Sequence, residues 1–211
     1  MKSLLIKEFY NIKDAMKTNI LIMLVLSVAS VLKNGSAAIM PIMIIGMSTL
    51  ISQSMRAEKE KGWNRYELTM PISRKDVVVS KYLLFLLLCG GGMLIGFFVN
   101  IVSMIMRGNI SWLNMIIYIM ISFVVALLAG SFLIPLTYKL GTDKSETLSL
   151  ICYAVPVGVL IAILLLMKNK IQNLYAIHNL LFWMGGILGV TIVLFLLSAF
   201  ISYRIYKAKQ F

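Results

Sequence analysis

The stretch that decides the fold is residues 82–106, YLLFLLLCGGGMLIGFFVNIVSMIM, which contains no charged side chain. A helix of this length exceeds the roughly 30 Å hydrocarbon thickness of a bilayer. The rest of the chain has the same character, since 60% of its 211 residues are hydrophobic and only 13% are charged. A soluble domain of this size needs more polar surface, so we expect lipid to cover most of the chain.

Apolar segments recur along the chain with charged or loop-forming residues between them. They cover approximately residues 19–32, 37–55, 82–106, 112–136, 147–167 and 179–203. The last four are long enough to span outright, whereas the first is short and needs Lys17 and Lys33 to reach toward the headgroups. The sequence therefore predicts an all-α polytopic membrane protein with six transmembrane helices in residues 19–211. A re-entrant hairpin of the first two segments is the alternative.

Residues 1–18 have a different pattern from the apolar segments. Apolar side chains recur there at helical spacing, at Leu5, Phe9, Ile12 and Met16, and charged residues occupy much of the remainder. This pattern predicts an amphipathic helix lying in the headgroup region. A signal peptide is the competing interpretation, but its basic region would be unusually long and would carry two acidic residues. We favour a retained interfacial helix over 1–18.

Basic residues are unevenly distributed between the two sides that this topology creates. With the N-terminus inside, sixteen of the twenty Lys and Arg residues are cytoplasmic, and those outside are Lys33, Arg107, Lys168 and Lys170. By the positive-inside rule, both termini are predicted to lie in the cytoplasm of a bacterial cell, with the chain in the plasma membrane. The net charge of +12 then fits contact with membrane lipid rather than with nucleic acid, which requires a basic surface on a folded domain.

Residues that carry chemistry are sparse in the apolar segments. All eight acidic residues lie in the predicted cytoplasmic pieces or at their edges, which disfavours an ion-coupled carrier. Cys89 and Cys152 each lie in an apolar run and are interpreted as small buried side chains. None of the fourteen glycines precedes a lysine, so the phosphate-binding loop of an ATPase is absent. We expect no catalytic, cofactor or metal site, and any ATP-driven activity requires a separate ATPase subunit.

The largest cytoplasmic piece is residues 56–81, and it is the most informative segment. The second span should continue as a charged helix until Gly62 ends it, and residues 63–69 then allow two helical turns. Ser73 and Asp76 have the spacing of a capping box for the helix that follows. The pattern predicts a short transverse helix between two membrane helices, so a force on it would reach both. An ordinary basic loop with an interfacial tryptophan is the alternative.

This loop resembles that of small ABC-2-type transporter permeases. The resemblance lies in Gly62-Trp63, Thr69-Met70-Pro71-Ile72-Ser73-Arg74-Lys75, Val78 and Ser80-Lys81-Tyr82. In that family a tryptophan-containing segment and a leucine–proline–(valine or isoleucine)–serine–arginine run precede serine–lysine–tyrosine at the third span, and Met70 replaces the usual leucine. The loop 138–144 is similar to the family's shorter glycine-containing loop. The permeases of phenol-soluble-modulin exporters are the nearest type.

The resemblance implies the permease subunit of an ATP-binding-cassette exporter that moves a hydrophobic or amphipathic cargo, often a peptide, out of the cell. Its partners would be ABC ATP-binding subunits and a second permease copy, either identical or paralogous. The implied ATPase-coupling residues are Trp63, Arg65, Tyr66, Glu67, Pro71 and Arg74, and those of a second cytoplasmic contact are Gly141, Asp143 and Lys144. A substrate-binding membrane component of an importer and a non-transport membrane scaffold are the alternatives.

The predicted topology can be tested by thiol labelling in intact cells that lack Cys89 and Cys152. Single cysteines at the predicted external positions Asn34, Asn109 and Asn173 should react with an impermeant reagent. Cysteines at Asn64 and Thr142 should react only after the membrane is opened. Labelling of position 64 from outside would invert the topology.

Overall fold

The computed structural model describes residues 2–32, 39–63, 73–107, 112–167 and 175–208. The α-helices are α1 (Lys2–Leu32), α2 (Ile39–Ser48), α3 (Leu50–Glu60), α4 (Arg74–Arg107), α5 (Trp112–Leu140), α6 (Ser145–Met167) and α7 (Tyr175–Ala208). A 3-10 turn, Thr142–Lys144, connects α5 to α6. These ranges contain no β-strand, so the all-α prediction is confirmed.

Within the described ranges, three helices are long and apolar enough to cross a membrane. They cover Arg74–Met106, Met115–Leu140 and Met184–Ala208, and Ser145–Val159 is a shorter apolar helix. Large hydrophobic side chains such as Leu94 and Phe98 project outward from the bundle. Since water-soluble proteins rarely expose contiguous apolar surface of this kind, these helices form the membrane-embedded part of a multi-pass protein.

Helix α1 differs in two respects from the pattern predicted for the N-terminal segment. It runs without a break from this segment into the first apolar segment. Its buried face carries Leu4, Glu8 and Ile12 at intervals of four residues, whereas Phe9 is exposed. The buried face of α1 is therefore shifted by about one residue from the predicted apolar face, because the protein interior accepts Glu8 in place of a hydrophobic side chain.

The junction between α2 and α3 is tied to α1 by side-chain hydrogen bonds. The carbonyl oxygen of Gly46 accepts a bond from the Thr49 hydroxyl at 2.7 Å and one from the Asn19 amide, also at 2.7 Å. The Thr49 backbone N–H still donates to the carbonyl oxygen of Ile45 at 3.0 Å. The chain thus continues from α2 into α3 with a local irregularity. Asn19 of the neighbouring helix supplies a hydrogen bond to the carbonyl oxygen there.

Ends of five helices meet at one end of the bundle, which we call the charged end. Polar contacts join Asn11 to Lys61, Arg56 to Glu146, and Arg74 to the carbonyl oxygen of Lys207. The first two contacts link α1, α3 and α6, the third links α4 to α7, and the Glu58–Lys81 pair joins α3 to α4. The segments that were predicted to be cytoplasmic therefore lie, as far as the structure describes them, at one end of the bundle.

Close packing of α4 against α2 depends on two glycines. A Cβ atom added to Gly92 would lie 2.7 Å from the carbonyl oxygen of Met43, and one added to Gly96 would lie 3.3 Å from the Met43 Cβ. Gly92 and Gly96, a pair of small residues four positions apart, thus let the two helices pack closely within this chain. A Cβ atom added to either residue of a second such pair, Gly185 and Gly189, would meet nothing within 4 Å.

On its interior face, α4 also makes a polar contact with α7. The Tyr82 hydroxyl lies 2.7 Å from the Ser198 Oγ and 2.8 Å from the Ser202 Oγ. Ser198 donates to the carbonyl oxygen of Ser131 at 2.6 Å, which adds α5 to the contact. The Tyr82 ring packs edge-on against Phe195, with centroids 5.0 Å apart. The Tyr82 hydroxyl therefore finds its partners inside the bundle.

We expect Gly92→Ala to destabilise the protein, because the new Cβ would also lie 2.9 Å from the Ile44 Cα, a backbone atom of α2 that cannot turn away. The cost should be about 1–3 kcal/mol, as for other overpacked helix contacts. Denaturant unfolding of the purified protein in detergent measures it. Gly90→Ala is the matched control, because a Cβ at Gly90 meets nothing within 4 Å. Equal stability of the two variants would contradict the assigned contact.

Candidate functional site

Helix α3 ends at the glycine that the sequence singles out. The Lys61 N–H donates to the carbonyl oxygen of Ala57 at 3.1 Å, and the Gly62 N–H donates to that of Lys59 at 3.0 Å. Gly62 has a φ of 65°, a left-handed conformation that costs glycine little and other residues more. The helix break predicted at Gly62 is confirmed, and Trp63 is the first residue beyond it.

Helix α4 begins with a cap and a contact to the last turn of α7. The Ser73 Oγ accepts a hydrogen bond from the Asp76 N–H at 3.2 Å, as the capping-box spacing predicts. The Arg74 guanidinium donates to the carbonyl oxygen of Lys207 at 2.9 Å and to that of Tyr206 at 3.5 Å. Arg74, one of the predicted ATPase-coupling residues, thus stabilises the C-terminal end of α7.

Of the remaining predicted coupling residues, the structure describes Trp63. Arg65, Tyr66, Glu67 and Pro71 lie in residues 64–72, outside the described ranges. The Trp63 ring is half-buried, and the Lys7 ammonium lies over it at 4.0 Å from the ring centroid. The indole Nε1 is buried and has no hydrogen-bond partner among the described residues. Trp63 is therefore in contact with α1 of its own chain.

Next to this contact lies a buried ion cluster, formed by Lys7, Glu8, Ser54, Glu58 and Lys81. The Lys81 ammonium lies 2.6 Å from Glu8 Oε2, 2.6 Å from Glu58 Oε2 and 3.0 Å from Ser54 Oγ. An ammonium group has three donor hydrogens, and these are its three acceptors. The side chains of Lys81 and Glu8 are each only 1% exposed, so the pairing compensates the loss of their hydration.

Lys7 completes the cluster on the side that faces Trp63. Its ammonium forms an ion pair with Glu58 and lies 3.5 Å from Glu8 Oε1. The Ser54 hydroxyl also donates to Glu8. Two ammonium groups thus face two carboxylates, and the cluster joins α1, α3 and α4.

The two carboxylates have different environments although both contact Lys81. Burial raises the pKa of Glu8, but the charges of Lys81 and Lys7 and its hydrogen bonds outweigh this and hold the pKa at about 2. Burial also raises the pKa of Glu58; Lys81 opposes this rise and the Glu8 charge adds to it, leaving the pKa above its ordinary value. Glu8 therefore remains ionised at neutral pH and keeps its pair with Lys81.

Sequence reasoning missed this cluster. The structure buries Lys81 among acceptors from two other helices, and no local pattern around Lys81 predicts this. One signal was present, because Glu8 lies four residues from both Leu4 and Ile12 and so shares their helical face. Nothing in the spacing indicates which lysine would pair with Glu8.

The second predicted contact lies beside α3. Gly141 has a φ of 90° and its N–H donates to the carbonyl oxygen of Thr137 at 3.1 Å, which ends α5. The turn Thr142–Lys144 follows and packs against α3, with the Lys144 side chain exposed. The Asp143 side chain is outside the described part. The two predicted cytoplasmic contacts thus both border α3 at the charged end.

The family described as ABC-2 family transporter protein matches residues 3–207, which include α1, the ion cluster and both charged loops. No curated protein and no solved structure matches the chain. Because the family match covers almost the full length, the chain belongs to the ABC-2 family of transporter proteins.

Proposed function

We propose that this chain is the permease subunit of an ABC exporter, with residues 56–81 as the segment that receives movement from a separate ATP-binding subunit. The family match over residues 3–207 supports the assignment to the membrane component of an ABC transporter. The absence of a phosphate-binding loop from the sequence agrees with ATP hydrolysis by a partner chain.

The observation that carries the coupling role is the ion cluster, in which residues from both ends of this segment meet. Glu58 lies just before the segment's turn and Lys81 one helix later, and their side chains meet at 2.6 Å. The two flanking helices are thereby fixed to each other where the segment leaves and re-enters the bundle. A force on the segment would move this end of the bundle as a unit rather than bend a loose loop.

The orientation, the cargo and the second copy are further parts of the proposal. The charged end faces the cytoplasm with both chain termini, since it contains most of the basic residues. Six passes through the plasma membrane are proposed from the six apolar segments of the sequence. The resemblance to small exporter permeases supports a second permease copy and a hydrophobic or amphipathic cargo, such as a peptide.

Purified alone, the chain should hydrolyse no ATP, because it lacks the residues that bind the phosphates. Co-expressed with its ATP-binding subunit and purified through a tag on the permease, the complex should hydrolyse ATP. Hydrolysis by the permease preparation after removal of every separate ATPase would contradict this division of labour.

Replacing Trp63 with alanine should weaken retention of the ATP-binding subunit by roughly 2 kcal/mol or more, as for an aromatic anchor of an interface. Recovery of this subunit with the tagged wild-type and variant permeases measures the loss. Membrane abundance of the permease should stay constant, because no residue of the apolar helices changes. Phe98→Ala is the control, since it removes an exposed aromatic ring from α4 away from the charged end. Equal recovery with Trp63→Ala and with the wild type would contradict the assignment of Trp63 as an anchor for the ATP-binding subunit.

A further inference from the structure

We propose that α1 is a third helix of the coupling device and that Lys7 positions Trp63 by binding its ring and the Glu58 carboxylate together. This inference rests on the proposed function, because it concerns how movement of residues 56–81 is transmitted. A segment between α3 and α4 would by connectivity alone act on those two helices. The ion cluster adds α1, which is distant from them in sequence.

The ammonium group of Lys7 is held from two sides. It pairs with Glu58 on α3 and lies 3.5 Å from Glu8 on α1 itself. Only 18% of the Lys7 side chain is exposed, so water competes weakly for the charge. A cation over an indole ring is attracted more strongly when it is shielded from water. Lys7 is thus a fixed contact for the ring rather than a mobile surface lysine.

Trp63 is the part of the coupling segment that this contact reaches. It follows the turn at Gly62, so its ring is not positioned by the hydrogen-bond ladder of α3. The Lys7 ammonium lies 4.0 Å from the ring centroid. Among the described residues the indole Nε1 has no hydrogen-bond partner, so within that part of the chain the contact with Lys7 is the polar interaction that holds the ring. A displacement of Trp63 must therefore move Lys7 or break this contact.

The acceptors that hold Lys7 are themselves fixed to α4. Glu8 and Glu58 each lie 2.6 Å from the buried Lys81 ammonium. The contact between α3 and α6 is different, because in the Arg56–Glu146 pair the side chains are 43% and 73% exposed. An exposed pair is weakened by water and salt and transmits little force. Trp63 is thus connected to α1 through Lys7, beside the direct contacts of Glu8 with Lys81 and of Asn11 with Lys61.

The test follows α1 directly in the assembled complex. A spin label is attached at Ile6→Cys, an exposed position of α1 beside Lys7, in the full chain bound to its ATP-binding subunit in lipid nanodiscs. Binding of ATP should change the spectrum of this label in the otherwise wild-type complex. Lys7→Met should reduce the change by about 2- to 30-fold, the range of mutations along a coupling path. The ATP-binding subunit should remain bound to this variant, since Trp63 is retained.

Matched variants separate the contact from a general loss of charge. Lys13→Met removes the same charge from the same helix, but Lys13 lies over Tyr10 of α1 and not over the coupling segment. It should leave the response at position 6 unchanged. Lys7→Arg should preserve the response, because a guanidinium also binds both the ring and a carboxylate.

A second measurement reports the position of Trp63 without any ATPase. With Trp112 and Trp183 replaced by Phe, Trp63 is the sole tryptophan, and acrylamide quenching of its emission measures ring accessibility. Lys7→Met should raise the quenching constant about twofold, since the covered face of the ring becomes free. Lys7→Arg and Lys13→Met should leave it unchanged. An unchanged constant in Lys7→Met would overturn the positioning role.

The outcomes distinguish this inference from the proposed function. The inference is overturned if the spectrum of the label at position 6 changes fully on ATP binding in Lys7→Met. It is also overturned if this label does not respond in a wild-type complex whose label at Asn64→Cys responds to ATP. If the label at position 64 is also silent, the coupling role of the segment itself fails. Should Lys7→Met not fold, Lys7→Gln removes the same charge with a polar side chain and should reduce the response at position 6 in the same way.

Discussion

An ammonium group can be buried at low cost only where each of its hydrogens meets an acceptor, and the charged end of the bundle is arranged around that requirement of Lys81. Its acceptors come from α1 and α3, so the three helices must hold a fixed register for Glu8, Ser54 and Glu58 to converge. Apolar contacts alone would allow these helices to slide. The cluster thereby fixes the helices that flank the proposed coupling segment.

Helix α4 carries this constraint from the charged end into the apolar interior. Lys81 contacts α1 and α3, and Tyr82, the next residue, contacts α7. Further along, Gly92 lets the backbone of α2 approach to within van der Waals distance. A single helix thus contacts most of the bundle through chemically different surfaces. Its register, once fixed by the cluster, also fixes the position of the glycine contact.

The candidate site combines predictions from local sequence with contacts that depend on the whole fold. Gly62 and Ser73 act at the ends of α3 and α4 as their local signals predict, since a turn or a cap depends on neighbouring residues. Arg74 is a predicted ATPase-coupling residue, and its guanidinium also binds carbonyl oxygens in the last turn of α7. The same local pattern fits either role, because a short motif does not specify what lies across from it.

The sequence by itself determined the helical, membrane-embedded class and the ends of the helices around residues 56–81. Both follow from local properties, namely apolar length and the conformations of glycine and serine at helix ends. Only the tertiary structure decided that Glu8 faces inward and that Lys7 covers Trp63. These pairings join residues far apart in the chain. The local sequence around a lysine does not distinguish a side chain that faces water from one that pairs with a buried carboxylate. Their energy depends on burial, and burial exists only once the helices have packed.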